Sequence, residues 1–431
     1  MRKAFILLTS ILSLSLFAQV NPEISVLFIG NSLTNGNSTN IDDPSTGNSM
    51  AYYFRELAEA AGYNVHVEMY APNGKYIYDD PYNSSNIGHC NSSVTESYIN
   101  SRDWDYVVVQ DNVGSYMWAE GYINSDVGNS NIQLHDKIIA NNPCTKEVFY
   151  AAQGYYNGLP SDYWHSGGLN LSYDDNIQAT IRSYRNSLYL NDHGMHDIVT
   201  PVGLAWNRYC NDGHSKDDLY YDTAHPTAKA SFLNGAVIFA TIFKMDPSQV
   251  NYTGGYSDAS YLKQIAWETV VDATYWSECN MPSITPDINV NDNVLSVTNT
   301  YNSYQWYEMP NQIQGANSQT YTINHDGVYF VEVTDNDGCK QRSKVDTYSY
   351  TTTSVNKISL SNNANIYPNP ANNYFYVKTK TGESVSISDI CGKNIMNIKA
   401  NTNIIKVSTQ NLNPGIYFVN TLNKTTKLIV E

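Results

Sequence analysis

The chain has 431 residues, of which 42% are hydrophobic, and it carries 41 Asp and Glu against 25 Lys and Arg, a net charge of −16. That length suffices for two or three domains, and that acidity is poorly suited to gripping a polyanion, so nucleic acid is set aside as a partner. Six cysteines, at 90, 144, 210, 279, 339 and 391, form no C-x-x-C pair, which argues against a zinc ribbon or a thioredoxin-type centre and leaves disulfide pairing unassigned.

In chain order, Arg2 and Lys3 precede an apolar stretch that ends in small residues near Ala18, the layout of a signal peptide over residues 1–18. No integral membrane segment is expected in the mature chain, because "FLNGAVIFATIF" is interrupted by Asn234 and reads as a buried helix. From Ser25 to about Phe243 the apolar runs "VLFIG", "NVHVEMY", "DYVVVQ", "EVFYAAQ" and "DIVTPVGLAW" alternate with helix-like stretches such as "MAYYFRELAEAAG" and "NIQATIRSYRNSLYL". Such alternation predicts an α/β domain over 19–280, a three-layer, doubly wound, mainly parallel sheet that closes its own core. Near residue 280 the helical periodicity stops. Short alternating segments ("NVLSVT", "SYQWYE", "QTYTIN", "GVYFVEVTD") predict a small all-β sandwich over 281–350, and a second all-β block fills 351–431. Thirty-six tyrosines and many asparagines supply flat amphipathic surfaces and amides of the kind that suit sugars.

Within the first block, Gly30-Asn31-Ser32 ends the first apolar run. Gly-Asn-Ser is turn chemistry, yet the carboxyl end of the first strand of an open α/β sheet is also where such folds place their ligands. A serine there needs a base. Among nine histidines, His225 has the fitting surroundings: Asp222 lies three residues before it, and Pro226 opens a predicted helix with an apolar face through Phe232, Leu233, Ala236, Val237 and Ala240. A tight loop there lets Asp222 accept from one imidazole nitrogen while the other faces Ser32. Trp104 and Trp206 read as core residues, whereas Trp118 and Trp164 lie in Gly- and Tyr-rich loops suited to stacking on a sugar ring. "NDHGMHD" gathers Asp192, His193, His196 and Asp197, but Gly194 makes it a loop without fixed ligand geometry, so no metal is expected. His214 reads as part of a solvated loop near the rim.

These residues resemble the SGNH (GDSL-like) hydrolase family, over roughly Ser25 to Phe243. The resemblance implies that Ser32 is the nucleophile, His225 the general base and Asp222 its orienting acid, with Asn31 standing where the family more often has Asp. It also implies an oxyanion hole made by the Ser32 amide, the amide of Gly74 in "YAPNGKY", and a third donor. The family's G-x-N-D is missing, so that donor is Gln110 or Asn112, with Gln110 favoured because some branches place Gln at this strand end. Further on, "SYQWYEMPNQIQGANSQTYTINHDGVYFVEVTDNDGC" is similar to immunoglobulin-like modules of secreted Bacteroidetes proteins. The "IYPNPANNYFYV", "LNPGIYFV" and "TKLIVE" segments resemble the C-terminal sorting domain of the type IX secretion system. Together these imply a protein secreted or attached to the outer cell surface, with the type IX secretion machinery as a partner. The activity implied is a serine esterase on O-acyl, above all O-acetyl, glycans or small esters, needing no cofactor. A lipase or thioesterase of the same fold is the alternative enzyme, disfavoured by the polar loops. A non-catalytic glycan-binding surface protein is the alternative outside catalysis.

Overall fold

Five parallel strands form the central sheet of the computed structural model: β1 (Ile24–Ile29), β2 (Val65–Tyr70), β3 (Tyr106–Val109), β4 (Lys146–Tyr150) and β5 (Ile198–Thr200), in the order β2-β1-β3-β4-β5. The structure describes residues 21–36, 41, 49–80, 83–111, 126–161, 170–179, 198–272, 286–351, 366–390, 392–422 and 424–431. Every residue of β1 and β3 is buried, as unbroken apolar strands of a parallel sheet covered on both faces must be. From β1 the chain turns to β2 on one side and then crosses to β3 on the other, so the switch point of the winding lies at the carboxyl ends of β1 and β3.

Helices cover both faces. On one, α2 (Met50–Ala60), α5 (Val202–Asn211) and α7 (Ala259–Val271) pack around α6 (Ala228–Phe243), and on the other, α3 (Ser93–Ile99) packs on β1 and α4 (Asp126–Asn141). The apolar run through Asn234 is therefore a helix enclosed by its neighbours, with Asn234 itself fully buried. Strand β5 is shorter than the run "DIVTPVGLAW" suggested: Pro201 interrupts it and caps α5, whose residues include "VGLAW". Likewise α6 begins not at Pro226 but at Ala228, because the Thr227 side chain accepts from the Ala230 N–H and makes Thr227 the cap.

The chain divides into two compact units, residues 1–351 and 352–431. The first includes a small module of antiparallel strands, β6 (Ile288–Asn291), β7 (Val294–Val297), β8 (Ser303–Glu308), β9 (Asn311–Gln312), β10 (Thr320–Thr322), β11 (Gly327–Thr334), β12 (Lys340–Arg342) and β13 (Asp346–Tyr348). They form two sheets, β10-β7-β6 and β12-β11-β8-β9, with β13 added to β11. The alternation of β11 splits its side chains: Tyr329, Val331 and Val333 join Trp306, Leu295 and Ile323 in the module's own core, while Phe330, with Tyr307 and Val345, is buried in the core of the α/β domain. A disulfide between Cys144 and Cys339 crosses the same interface. Lys146 Nζ donates to the Lys340 carbonyl, Lys244 Nζ to the Arg342 carbonyl, and Arg342 grips Glu332 through Nε and Nη2 at 2.9 and 2.8 Å. Lys146 begins β4 and Lys244 follows the end of α6, so the module sits against the amino ends of the sheet strands.

The second unit holds two more antiparallel sheets. One is β14 (Ile366–Tyr367), β15 (Tyr374–Lys378) and β18 (Ile404–Ser408); the other is β17 (Asn394–Lys399), β16 (Ser384–Asp389), β19 (Gly415–Thr421) and β20 (Lys424–Val430). Between them lie Phe375, Val377, Val385, Ile387, Val407, Val419 and Leu428. Among the described residues no helix is long and apolar enough to cross a membrane.

Candidate active site

Ser32 opens α1 (Ser32–Asn35), a single turn that leaves the carboxyl end of β1 at the switch point. Asn31 caps this turn: its Oδ1 accepts from Leu33 N at 3.1 Å while its Nδ2 donates to the Lys75 carbonyl at 3.1 Å. An aspartate could make the first bond but would set a carboxylate oxygen against the second carbonyl, which accounts for the amide at this position. Gly30 is required by crowding, since a Cβ there would collide with Thr34 Oγ1 and lie 2.7 Å from Gln110 Oε1.

The loop after β2 is stitched to the serine turn. Besides the Asn31 bond, Asn35 Nδ2 donates to the Ala71 carbonyl and to Asn73 Oδ1 at 2.6 and 2.7 Å. Gly74 has φ of 70°, and Lys75 N donates to the Pro72 carbonyl at 3.2 Å, the pattern of a type II turn with glycine at its third position. A Cβ at Gly74 would meet nothing within 4 Å, so this edge of the turn borders open space.

From the other end of the sequence, the loop before α6 brings His225 to the serine. Ser32 Oγ lies 2.8 Å from His225 Nε2, and His225 Nδ1 lies 2.8 Å from Asp222 Oδ2. The backbone N–H groups of Ala224 and His225 both donate to Asp222 Oδ1 at 2.8 Å. Partial burial works against the Asp222 carboxylate, but these amides and the imidazole outweigh it and hold its pKa below the ordinary carboxylate value. The proton between imidazole and aspartate therefore belongs to Nδ1, and in the neutral ring Nε2 is then the acceptor for Ser32 Oγ–H.

A buried file of donors anchors the His225 loop. Trp206 Nε1 donates to Asn234 Oδ1, Asn234 Nδ2 to the Tyr150 hydroxyl, the Tyr150 hydroxyl to Gln153 Oε1, and Gln153 Nε2 to the Ala224 carbonyl, at 2.7, 2.9, 3.1 and 2.9 Å. All four side chains are fully buried. Sequence reading placed Trp206 in the core but missed its part in this chain, and it missed Gln153 and Tyr150 altogether.

Of the residues singled out in the sequence, Ser32, Asp222 and His225 meet in one row, and Gly74 lies in the adjoining loop. Gln110 is buried against the same turn, but both ends of its amide are engaged inside the protein. Oε1 accepts from Asn31 N at 3.1 Å and Thr34 Oγ1 at 2.8 Å, and Nε2 donates to the Asp111 carbonyl. That is the arrangement of a clamp. Asn112, Trp118, Trp164 and the Asp192 to Asp197 stretch lie outside the described residues. Trp104 is buried, and His214 is exposed with its ring stacked on Tyr209 at 4.5 Å. His89, which the sequence did not flag, is buried beside the serine turn and donates through Nε2 to the Gly30 carbonyl at 2.9 Å.

Residues 365–431 match the family model of the secretion system C-terminal sorting domain, which marks the protein as secreted or attached to the outer surface. No curated protein matches the chain. Among solved structures, a DUF4886 family protein from Bacteroides uniformis is 13% identical, covering 58% of this chain and 96% of its own, with a TM-score of 0.45. A Slackia heliotrinireducens protein assigned to the SGNH hydrolases is 21% identical, with 51% and 99% covered and a TM-score of 0.35. A carbohydrate acetylesterase from Sinorhizobium meliloti is 16% identical, with 50% and 96% covered and a TM-score of 0.33.

Proposed function

We propose that this chain is a secreted serine ester hydrolase of the SGNH kind that removes O-acyl groups, chiefly O-acetyl, from carbohydrate. The observation that carries the reading is the row Ser32 Oγ, His225 Nε2 and Nδ1, Asp222 Oδ2, with 2.8 Å at each link, at the switch point of a doubly wound sheet. In this reading Ser32 Oγ attacks the ester carbonyl carbon as its proton passes to His225 Nε2. The oxyanion accepts from the amides of Ser32 and Gly74. Collapse breaks the bond to the sugar oxygen, which leaves with the proton from His225. Water then gives a proton to His225 and attacks the acyl carbon, and the carboxylic acid departs as Ser32 recovers its hydrogen.

The carbohydrate preference is supported by the wealth of tyrosine and asparagine and by Tyr221, which pairs with the His225 backbone yet leaves 74% of itself exposed beside the row. An outer-surface address also favours a polymeric substrate outside the cell. The test is labelling with a fluorophosphonate probe, followed by acetate release from acetylated polysaccharide and hydrolysis of p-nitrophenyl esters of increasing chain length. Wild type should label at Ser32 and favour acetyl, and both Ser32→Ala and His225→Ala should fall to background while remaining folded. Faster turnover of long acyl chains would transfer the assignment to a lipase. Absence of labelling would transfer it to a glycan-binding protein.

A further inference from the structure

The peptide unit that joins Gly30 to Asn31 is held at both of its polar atoms by buried side chains from two separate parts of the fold. Its carbonyl accepts from His89 Nε2 at 2.9 Å, and its N–H donates to Gln110 Oε1 at 3.1 Å. His89 and Gln110 are each 1% exposed. A carbonyl oxygen can only accept, so the ring proton must sit on Nε2. Nδ1 then accepts the Thr95 hydroxyl at 2.9 Å, and Thr95 is itself fully buried on α3. The carbonyl thus fixes the tautomer, and the Thr95 hydroxyl, free to donate, completes it on the other side of the ring.

We infer that His89 is a positioning residue for Ser32: with Gln110 it fixes the plane of the Gly30–Asn31 peptide, and through that plane the direction of the Ser32 amide and hydroxyl. The inference rests on reading Ser32 as the nucleophile. A peptide plane free to rock would swing the turn that follows it, and displacing a reacting group by about 1 Å costs roughly 100-fold in rate. The imidazole suits the task because it donates without bringing charge. Burial, partly offset by the Gly30 carbonyl and aided by the nearby Lys75 cation, holds its pKa down to about 3. The Tyr70 ring from β2 stands nearly perpendicular to the imidazole, with centroids 5.6 Å apart. Because any Cβ at position 30 would strike Thr34 and Gln110, the clamp accepts glycine alone there.

The test compares wild type, His89→Leu and His89→Gln in the full chain, by p-nitrophenyl acetate turnover and by the rate of Ser32 phosphonylation. Leucine cannot donate, so kcat and the phosphonylation rate should fall together by about 10- to 100-fold with KM changed by less than about twofold. Glutamine places an amide N–H where Nε2 stood and should recover most of the loss. The midpoint of the pH–rate profile should be the same in all three. A folded His89→Leu protein with wild-type kcat, or a glutamine variant as slow as leucine, would overturn the inference. If the leucine variant does not fold, the wild-type ring decides: its nitrogen-15 spectrum should show the Nε2-protonated neutral form from about pH 8 to about pH 5. A proton on Nδ1, or a titration within that range, would count against the clamp. A wild type inert toward both ester and probe would sink the Ser32 reading, leaving the clamp to be judged on the ring tautomer and on slow exchange of the Asn31 amide.

Discussion

A histidine that stays neutral in the fold but not in the unfolded chain ties stability to pH. Unfolded, His89 has the ordinary imidazole pKa of ~6.5; folded, it is held at about 3. Above the first value both states carry the same neutral ring and nothing changes with pH. Below it the unfolded chain binds a proton that the folded chain refuses, so stability falls as pH falls, by about 1.4 kcal/mol per unit, down to about pH 3. Urea unfolding at pH 7 and pH 5 should reveal about 2 kcal/mol of this loss in wild type that is missing from His89→Gln; equal losses in the two would contradict the buried neutral ring. The residues of the serine row were legible because each stands at a punctuation mark of the sequence: Ser32 where an apolar run ends, Asp222 and His225 just ahead of a helix. His89 has no such marker. Its partner is a backbone carbonyl 59 residues away, and no pattern of side chains spells out a backbone acceptor.

At the scale of elements, the proposed reaction needs two loops held in register, and each is hydrogen-bonded to fully buried side chains. The serine turn hangs from β1 and α3 through His89 and Thr95, and the loop of His225 hangs from α5, α6 and β4 through Trp206, Asn234, Tyr150 and Gln153. Tyr150→Phe removes one hydroxyl and strands a buried donor on Asn234 and a buried acceptor on Gln153. It should cost about 1–3 kcal/mol in unfolding free energy and lower kcat more than it raises KM. If thermal unfolding and kcat both stay at wild-type values, the file of hydrogen bonds does not support the loop. The parallel sheet could be read from sequence because its strands are unbroken apolar runs between helical segments. The two faces of β11 could not: "GVYFVEVTD" looks like a well-buried strand of a free-standing sandwich, and only the fold shows that Phe330 is buried by a different domain from Val331.

For the whole molecule, that shared core bears on where the chain can be shortened. The change of texture near residue 280 suggests an α/β domain complete in itself, yet Tyr307, Phe330 and Val345 fill its core and Cys339 is bonded to it. A chain ending at 351 retains the entire first unit and should unfold at the same urea concentration as the full chain, with undiminished turnover of small esters. One ending at 280 loses these apolar contacts and a cross-link spanning 195 residues, for which chain entropy alone predicts up to about 5 kcal/mol, and its midpoint should drop accordingly. Matching midpoints for the two shortened chains would mean that the module is a passenger. The module's seat at the amino ends of the strands also puts it at the opposite end of the sheet from Ser32. The bond between Cys144 and Cys339 has one more effect, on damage. Backbone and disulfide together close a ring, and a protease that cuts once anywhere in that ring makes two polypeptides but still one molecule. The fragment with Ser32 and the fragment with residues 365–431 would migrate as a single band on a gel until a thiol was added, and a nicked protein outside the cell would keep Ser32 and its sorting domain together.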